Sequence, residues 1–265
     1  MIGTTQEVDL NELMIKDFTL PTIIVPARLA SIRFPGKLLS MVQAKPLILW
    51  TAERISEVAP EFDLFFAVDG DEIGDVLEAS GFSVVKTEPS LASGTDRIAA
   101  ANLEIMADSI INVQADEPRI DRSHLLALSE SLKPQGTSMS TLAVKFSCEK
   151  DFHDPNQVKV VCDQLGNALY FTRSSIPYSR NSTWQWGKVD GDRPLKHLGL
   201  YGYTADFLKR FSIFPEGKLE KIEKLEQLRV LELGEKISVS VVESETHGID
   251  TPEDLARFES LLENR

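Results

Sequence analysis

Thr22-Ile23-Ile24-Val25-Pro26-Ala27-Arg28-Leu29-Ala30-Ser31-Ile32-Arg33-Phe34-Pro35-Gly36-Lys37 is the stretch whose reading decides the fold. Thr22 to Val25 are all β-branched and mostly apolar, with no polar alternation. Such a run suits a strand covered on both faces. The loop that follows is built largely of small residues and carries Arg28, Arg33 and Lys37. Small residues let backbone N–H groups approach a phosphate, and clustered cations hold its charge, so the loop reads as an anion grip. It is neither the GxxxxGK[ST] loop nor the GxGxxG dinucleotide fingerprint. The plain alternative is a solvated basic turn.

Further short apolar runs follow at Leu64 to Val68, Ser83 to Val85, Ser109 to Val113 and Met139 to Val144, with helical patterns between them at Leu47 to Val58, Asp71 to Ser80, Arg97 to Met106 and Ser123 to Leu132. This alternation predicts βαβ units and an α/β fold whose mainly parallel sheet is covered by helices on both faces. In such sheets ligands gather at the carboxyl ends of the strands. The second half is less regular. Val158 to Cys162 and Ala168 to Thr172 read as a hairpin, Ser174 to Lys196 as a long polar loop, and His197 to Tyr203 as a strand. A helix is expected at Leu219 to Leu233, a strand at Ser238 to Val242, and a final helix capped by Thr251 with Pro252 as its first residue. Residues 1–21 read as an N-terminal extension, and residues 22–265 as one domain with a lobe at about 139–205.

Forty-one acidic residues against 28 basic ones give a formal charge of −13. That balance argues against nucleic acid or an anionic membrane as the main partner. No run of about 18 apolar residues would span a bilayer. Glu7, Asp9, Glu12 and Asp17 make the start unlike a signal peptide, and the expected location is cytoplasmic. Cys148 and Cys162 show no CxxC spacing and read as small buried apolar residues in a reduced compartment.

In this acidic chain, four further features point to chemistry. Asn112-Val113-Gln114-Ala115-Asp116-Glu117-Pro118 lies where an apolar strand ends. A carboxylate placed there, facing a bound triphosphate, is the hard oxygen ligand that magnesium requires, and Asp116 is the better candidate because Pro118 restrains Glu117. Asp250 stands just ahead of the last helix, where Thr251 already serves as cap; it reads as a second metal carboxylate or as a helix-dipole residue. Ser93-Gly94-Thr95-Asp96-Arg97 offers N–H groups, a hydroxyl and a guanidinium to a ligand. Arg173 and His197 are site candidates at strand ends.

Taken together these segments resemble the CMP-Kdo synthetases, the 3-deoxy-manno-octulosonate cytidylyltransferases. The resemblance rests on seven ordered motifs at 26–37, 93–97, 112–118, 168–177, 197–203, 225–231 and 248–255. It implies a three-layer Rossmann-like fold of the nucleotide-diphospho-sugar transferase type, with a smaller sugar-binding and dimerisation lobe. It also implies transfer of CMP from CTP to Kdo, or to its 8-amino analogue, for lipopolysaccharide assembly. Pro26, Ala27, Arg28, Arg33, Lys37, Ser93, Gly94 and Gln114 would bind the nucleotide, with Arg28, Lys37, Asp116 and Asp250 as the catalytic set. Asp116 and Asp250 would hold Mg2+, and Arg97, Arg173, His197, Tyr201 and Gln227 would line the sugar site. Arg173 would grip the sugar carboxylate by two parallel hydrogen bonds. A homodimer is implied as well. The chain departs from the family pattern at Leu38, where proline is usual, at Ala115, where glycine is usual, and in its N-terminal arm. A non-catalytic nucleotide-binding homologue is the alternative from another class.

Overall fold

The computed structural model describes residues 19–30, 34–133, 136–180, 184–186 and 192–263. Arg33 and most of the N-terminal extension lie outside the described residues. The elements run β1 (Thr22–Ala27), β2 (Met41–Val42), β3 (Lys45–Pro46), α1 (Leu47–Val58), β4 (Leu64–Val68), α2 (Asp71–Ala79), β5 (Ser83–Lys86), α3 (Gly94–Ile105), β6 (Ser109–Asn112) and α4 (Arg122–Leu132). They continue through β7 (Met139–Lys145), α5 (Glu149–His153), β8 (Lys159–Cys162), β9 (Ala168–Thr172), β10 (Leu195–Thr204), α6 (Ala205–Phe211), α7 (Lys218–Glu223), α8 (Gln227–Glu232), β11 (Ile237–Val242) and α9 (Pro252–Glu263).

The main sheet is ordered β11-β7-β10-β6-β1-β4-β5. Within that path β10 alone runs against its neighbours, and the others are parallel to one another. Strand β1 shows why its sequence lacks polar alternation. Ile23 and Val25 join a core with Ile48 and Ile55 of α1, Leu77 of α2 and Leu125 of α4. Ile24 joins another with Ile98 of α3, Phe207 of α6 and Leu228 of α8. Both faces of the sheet are covered, so both sets of side chains must be apolar. The expected three-layer α/β architecture is what the chain adopts.

The β8–β9 hairpin pairs with Leu195 and Lys196 at the start of β10. Its turn is tightened by the Asp163 carboxylate, which accepts from the N–H groups of Leu165 and Asn167, both at 2.8 Å. The tryptophans of the long polar loop pack on Phe152 of α5, with ring centroids at 6.3 Å for Trp184 and 5.9 Å for Trp186. Cys148 and Cys162 are free, half-buried thiols.

Two expectations change. The single helix expected at Leu219 to Leu233 is two short helices, because Lys224 adopts a left-handed conformation with φ 54° and ends α7. Helix α6, with buried Phe207, Leu208 and Phe211, follows β10 directly and was not anticipated. The last helix begins as expected: Asp254 N–H donates to Thr251 Oγ1 at 3.2 Å, and Thr251 N–H donates back to the Asp254 carboxylate at 3.0 Å.

Candidate active site

Residues on the loops leaving β1 and β6 meet Asp250 around a cavity of about 340 Å³, lined by Pro26, Arg28, Lys37, Gly94, Gln114, Asp116 and others. Its position at the carboxyl ends of adjacent parallel strands is where such sheets bind ligands. The β1 loop is held from the next strand: Leu29 N–H donates to both oxygens of Asp69, at 3.1 and 3.2 Å. Gly36 then takes φ 67°, a left-handed turn that glycine adopts without a Cβ penalty. That turn starts the 3-10 segment Lys37–Leu39 and sends the Lys37 side chain inward, where only 8% of the residue is exposed. Arg28 remains exposed on the opposite rim.

Lys37 organises the two aspartates. Its Nζ donates to the Asp116 carboxylate and lies 3.4 Å from Asp250 Oδ1. The two carboxylates, from distant parts of the chain, therefore converge on one ammonium group. Beside them Glu117 is half-buried as a residue, but its Oε2 is enclosed and has no hydrogen-bond partner among the described residues. Burial first, then the neighbouring charges of Asp116 and Asp250, push the Glu117 carboxyl up to about 8. The sequence reading sets Glu117 aside because Pro118 restrains it. The signal was present in its place between Asp116 and Pro118, but its burial is a tertiary fact.

Ser93 and Gly94 open α3. Ser93 Oγ accepts from Asp96 N–H at 3.1 Å, and the Asp96 carboxylate accepts from Ser93 N–H at 3.1 Å, a reciprocal cap. Gly94 packs on Pro26: a Cβ there would lie 3.3 Å from the proline ring, tight enough to push the wall back. Ala27 is fully buried at the end of β1 and supports this wall from behind. Arg97 is placed with this group, lining the same cavity, and not with the other proposed sugar residues. Its buried guanidinium donates to Thr87 Oγ1 at 2.5 Å.

The second wall is made by a bulge. Pairing of β10 with β7 jumps between Leu198 and Tyr201. Four residues of regular strand would separate His197 from Tyr201 by about 13 Å, yet their ring centroids lie 5.5 Å apart. Thr141 Oγ1, facing the irregularity, lies 2.8 Å from the Leu200 carbonyl and 3.2 Å from that of Leu198. The same oxygen is 2.9 Å from His197 Nε2, while Gln227 Nε2 lies 3.5 Å from His197 Nδ1. With the Gln227 amide donating to Nδ1, the relay runs from Gln227 to His197 to Thr141 to a carbonyl. Burial lowers the histidine to about 3, so the ring is neutral. A cavity of about 480 Å³ lies against His197 and shares Asp250 with the first.

Arg173 does not reach either cavity. Its Nε donates to the Glu223 carbonyl at 2.8 Å and its Nη1 to the Pro155 carbonyl at 3.0 Å. A carboxylate grip through Nε and Nη2 is therefore not open in this arrangement, and Nη2 is the nitrogen without a bond among the described residues. Leu38 is buried and belongs to the same core as Ile48 and Ala52 of α1. Ala115 is buried and is not among the described residues with positive φ, so its methyl group meets no backbone strain.

Convergent carboxylates facing lysine and arginine at parallel strand ends are the equipment of a nucleotidyltransferase. The chain matches the cytidylyltransferase family model over residues 22–237 and belongs to that family. It is 42% identical over 243 residues to a 3-deoxy-manno-octulosonate cytidylyltransferase of Bdellovibrio bacteriovorus, covering 91% of this chain and 97% of the relative. It is 41% identical over 248 residues to an 8-amino-3,8-dideoxy-manno-octulosonate cytidylyltransferase of Shewanella woodyi, covering 91% and 98%. A solved CMP:2-keto-3-deoxy-manno-octonic acid synthetase complexed with CTP is similar in structure, with a TM-score of 0.84 and 34% identity over 93% of this chain and 99% of that one. No helix among the described residues is long and apolar enough to cross a membrane.

Proposed function

We propose that this cytidylyltransferase moves the cytidylyl group of CTP to the anomeric hydroxyl of Kdo or its 8-amino analogue and releases pyrophosphate. The observation that carries this reading is the convergence of Lys37, Asp116 and Asp250 on one cavity with Arg28 and Gln114, in a chain with close relatives named for these two substrates. The acceptor hydroxyl attacks the α-phosphorus, a P–O bond forms, and the bond to the β-phosphate oxygen breaks. Arg28 and Lys37 offset the triphosphate charge and stabilise the departing pyrophosphate. Gln114 offers both a donor and an acceptor to the cytosine edge.

Asp116 and Asp250 fit Mg2+. Both reach one ammonium, so both can reach one cation, and magnesium takes one or two carboxylates with phosphate oxygens completing its shell. No group of three or more His, Cys, Asp or Glu side chains suited to a metal occurs among the described residues, so the substrate's phosphates would supply the remaining ligands. When bound, the metal would neutralise phosphate charge and acidify the acceptor hydroxyl. His197 is not the base: its ring is neutral but both nitrogens are engaged. On the acceptor side, His197, Tyr201 and Gln227 orient the sugar without adding charge.

A homodimer and a cytoplasmic location belong to the same reading. Leu165, Leu169 and Tyr178 are strongly exposed on the lobe and supply apolar surface for a partner copy. Sedimentation at micromolar concentration would detect the dimer. The function is tested by screening nucleotides and acceptors together for magnesium-dependent pyrophosphate release. Release with CTP and one of the two sugar acids is expected, and the screen identifies which. Silence with both, given bound CTP, would favour a non-catalytic nucleotide binder.

A further inference from the structure

Lys159 of β8 is fully buried, at 0% exposure. Buried ammonium groups are ordinarily paired with a carboxylate. Here both hydrogen bonds go to carbonyls: Nζ donates to Asp154 O at 2.7 Å and to Arg173 O at 3.0 Å. An apolar side chain would fill the same space without the cost of desolvating a charge. What the charge accomplishes is visible in the bonds around it.

The two carbonyls belong to segments far apart in sequence, and Arg173 joins them a second time. Its Nη1 donates to Pro155 O, next to Asp154, at 3.0 Å. Lys159, the turn at 154–155 and Arg173 thus form a closed ring. The main-chain N–H of Arg173 is fixed as well, donating to Glu223 Oε2 at 3.0 Å, and Thr172 Oγ1 donates to Glu223 Oε1 at 2.6 Å. Glu223 ends α7, and Gln227, four residues on, begins α8 and bonds His197. The main chain around Lys159 pairs with Lys196, and His197 N–H donates to Val158 O at 2.9 Å. Gln227 and the start of β10 are therefore both tied to the neighbourhood of this one ammonium.

We infer that Lys159 is a positioning residue for the sugar-acid acceptor, fixing Arg173 and through Glu223 the α7–α8 junction that aims Gln227 at His197. The inference rests on the reading of this wall as the acceptor side. Lys159 touches neither substrate. Its loss releases the Arg173 carbonyl and the 154–155 turn, and the acceptor wall loosens while the nucleotide wall, built on β1 and β6, stays in place.

The test is steady-state kinetics on the full chain with both substrates varied. Lys159→Met is expected to raise the KM for the sugar acid tenfold or more and to leave the KM for CTP within twofold. Combined with Arg173→Met it should add little to the effect of Arg173→Met alone. Lys159→Gln, which keeps one donor group, should fall between wild type and Lys159→Met, and it carries the same comparison if the methionine variant does not fold. An unchanged sugar-acid KM, an equal rise in both KM values, or fully additive effects with Arg173→Met would overturn the inference. If Arg173→Met itself leaves the sugar-acid KM unchanged, the link from Arg173 through Glu223 to the acceptor wall falls first, and the role of Lys159 falls with it. Cytidylyl transfer as such would stand.

Discussion

On the proposed nucleotide side, Arg28, Lys37, Gln114 and Asp116 stand on loops leaving the carboxyl ends of β1 and β6, while on the proposed acceptor side His197 and Tyr201 lie inside a strand and Gln227 begins a short helix. The first group carries three charged side chains beside one amide and is set against one cavity. The second is neutral: His197 and Gln227 are buried and lie in side-chain hydrogen-bond reach of each other, and half-buried Tyr201 packs its ring on His197. Charge can be delivered by loops because long-range attraction tolerates small displacements. Orientation of a polyhydroxylated acceptor depends on short-range bonds, and those need rigid elements behind them.

The contrast can be broken most severely at the carboxylates. Asp116→Asn and Asp250→Asn should each lower turnover by roughly two to three orders of magnitude, the scale of losing one preorganised electrostatic contact. Melting temperatures should change little, and near-normal pyrophosphate release in both variants would remove the proposed metal site. On the acceptor wall, Thr141→Val keeps the shape but leaves His197 and the Leu200 carbonyl without their partner. A loss of about 1–3 kcal/mol in urea unfolding is expected, together with a higher sugar-acid KM and an unchanged CTP KM.

The pH dependence of stability separates the two sides more finely. Burial lowers His197 to about 3, while the unfolded chain takes up that proton near 6.5. Between those values the unfolded state binds more protons, so stability is present above about 6.5 and is lost as pH falls toward 3. His197→Gln should flatten this acid limb in a series of thermal melts, and a limb of unchanged slope would show that another group governs it. The smallest effect belongs to Ala115→Gly. Because Ala115 lacks positive φ, glycine gains nothing in the folded state and costs only about 0.4–1 kcal/mol through the unfolded chain. Activity within twofold of wild type would show that this departure from the family pattern is neutral.

Legibility in the sequence followed the same division. Helix α1 and strand β4 have the bounds expected from periodicity, because each is a regular element with a buried face on a parallel sheet. The basic loop and Asp116 were legible because chemistry sits just after apolar strands there. The α7–α8 break was not, since Leu219, Ile222, Leu225 and Leu228 keep a helix-like spacing of three while Lys224, with no glycine or asparagine to signal it, turns left-handed. The β10 bulge was equally silent: nothing local to Leu198 reveals that Thr141, far away in the chain, satisfies its displaced carbonyls. Asp69, which steadies Leu29, was missed for the same reason.

Lys37 has one more consequence. With its ammonium lodged between Asp116 and Asp250, the protein carries its own counter-ion in the place a divalent cation would take. An ion arriving alone would have to evict that tenant and leave a lysine stranded in a mostly buried position. On the proposed reading, an arriving triphosphate would offer Lys37 a new anion and free the carboxylates for the metal. Uptake of metal and nucleotide would then be reciprocal, each raising affinity for the other. The resting enzyme would be kept from trapping metal it has no substrate to use with.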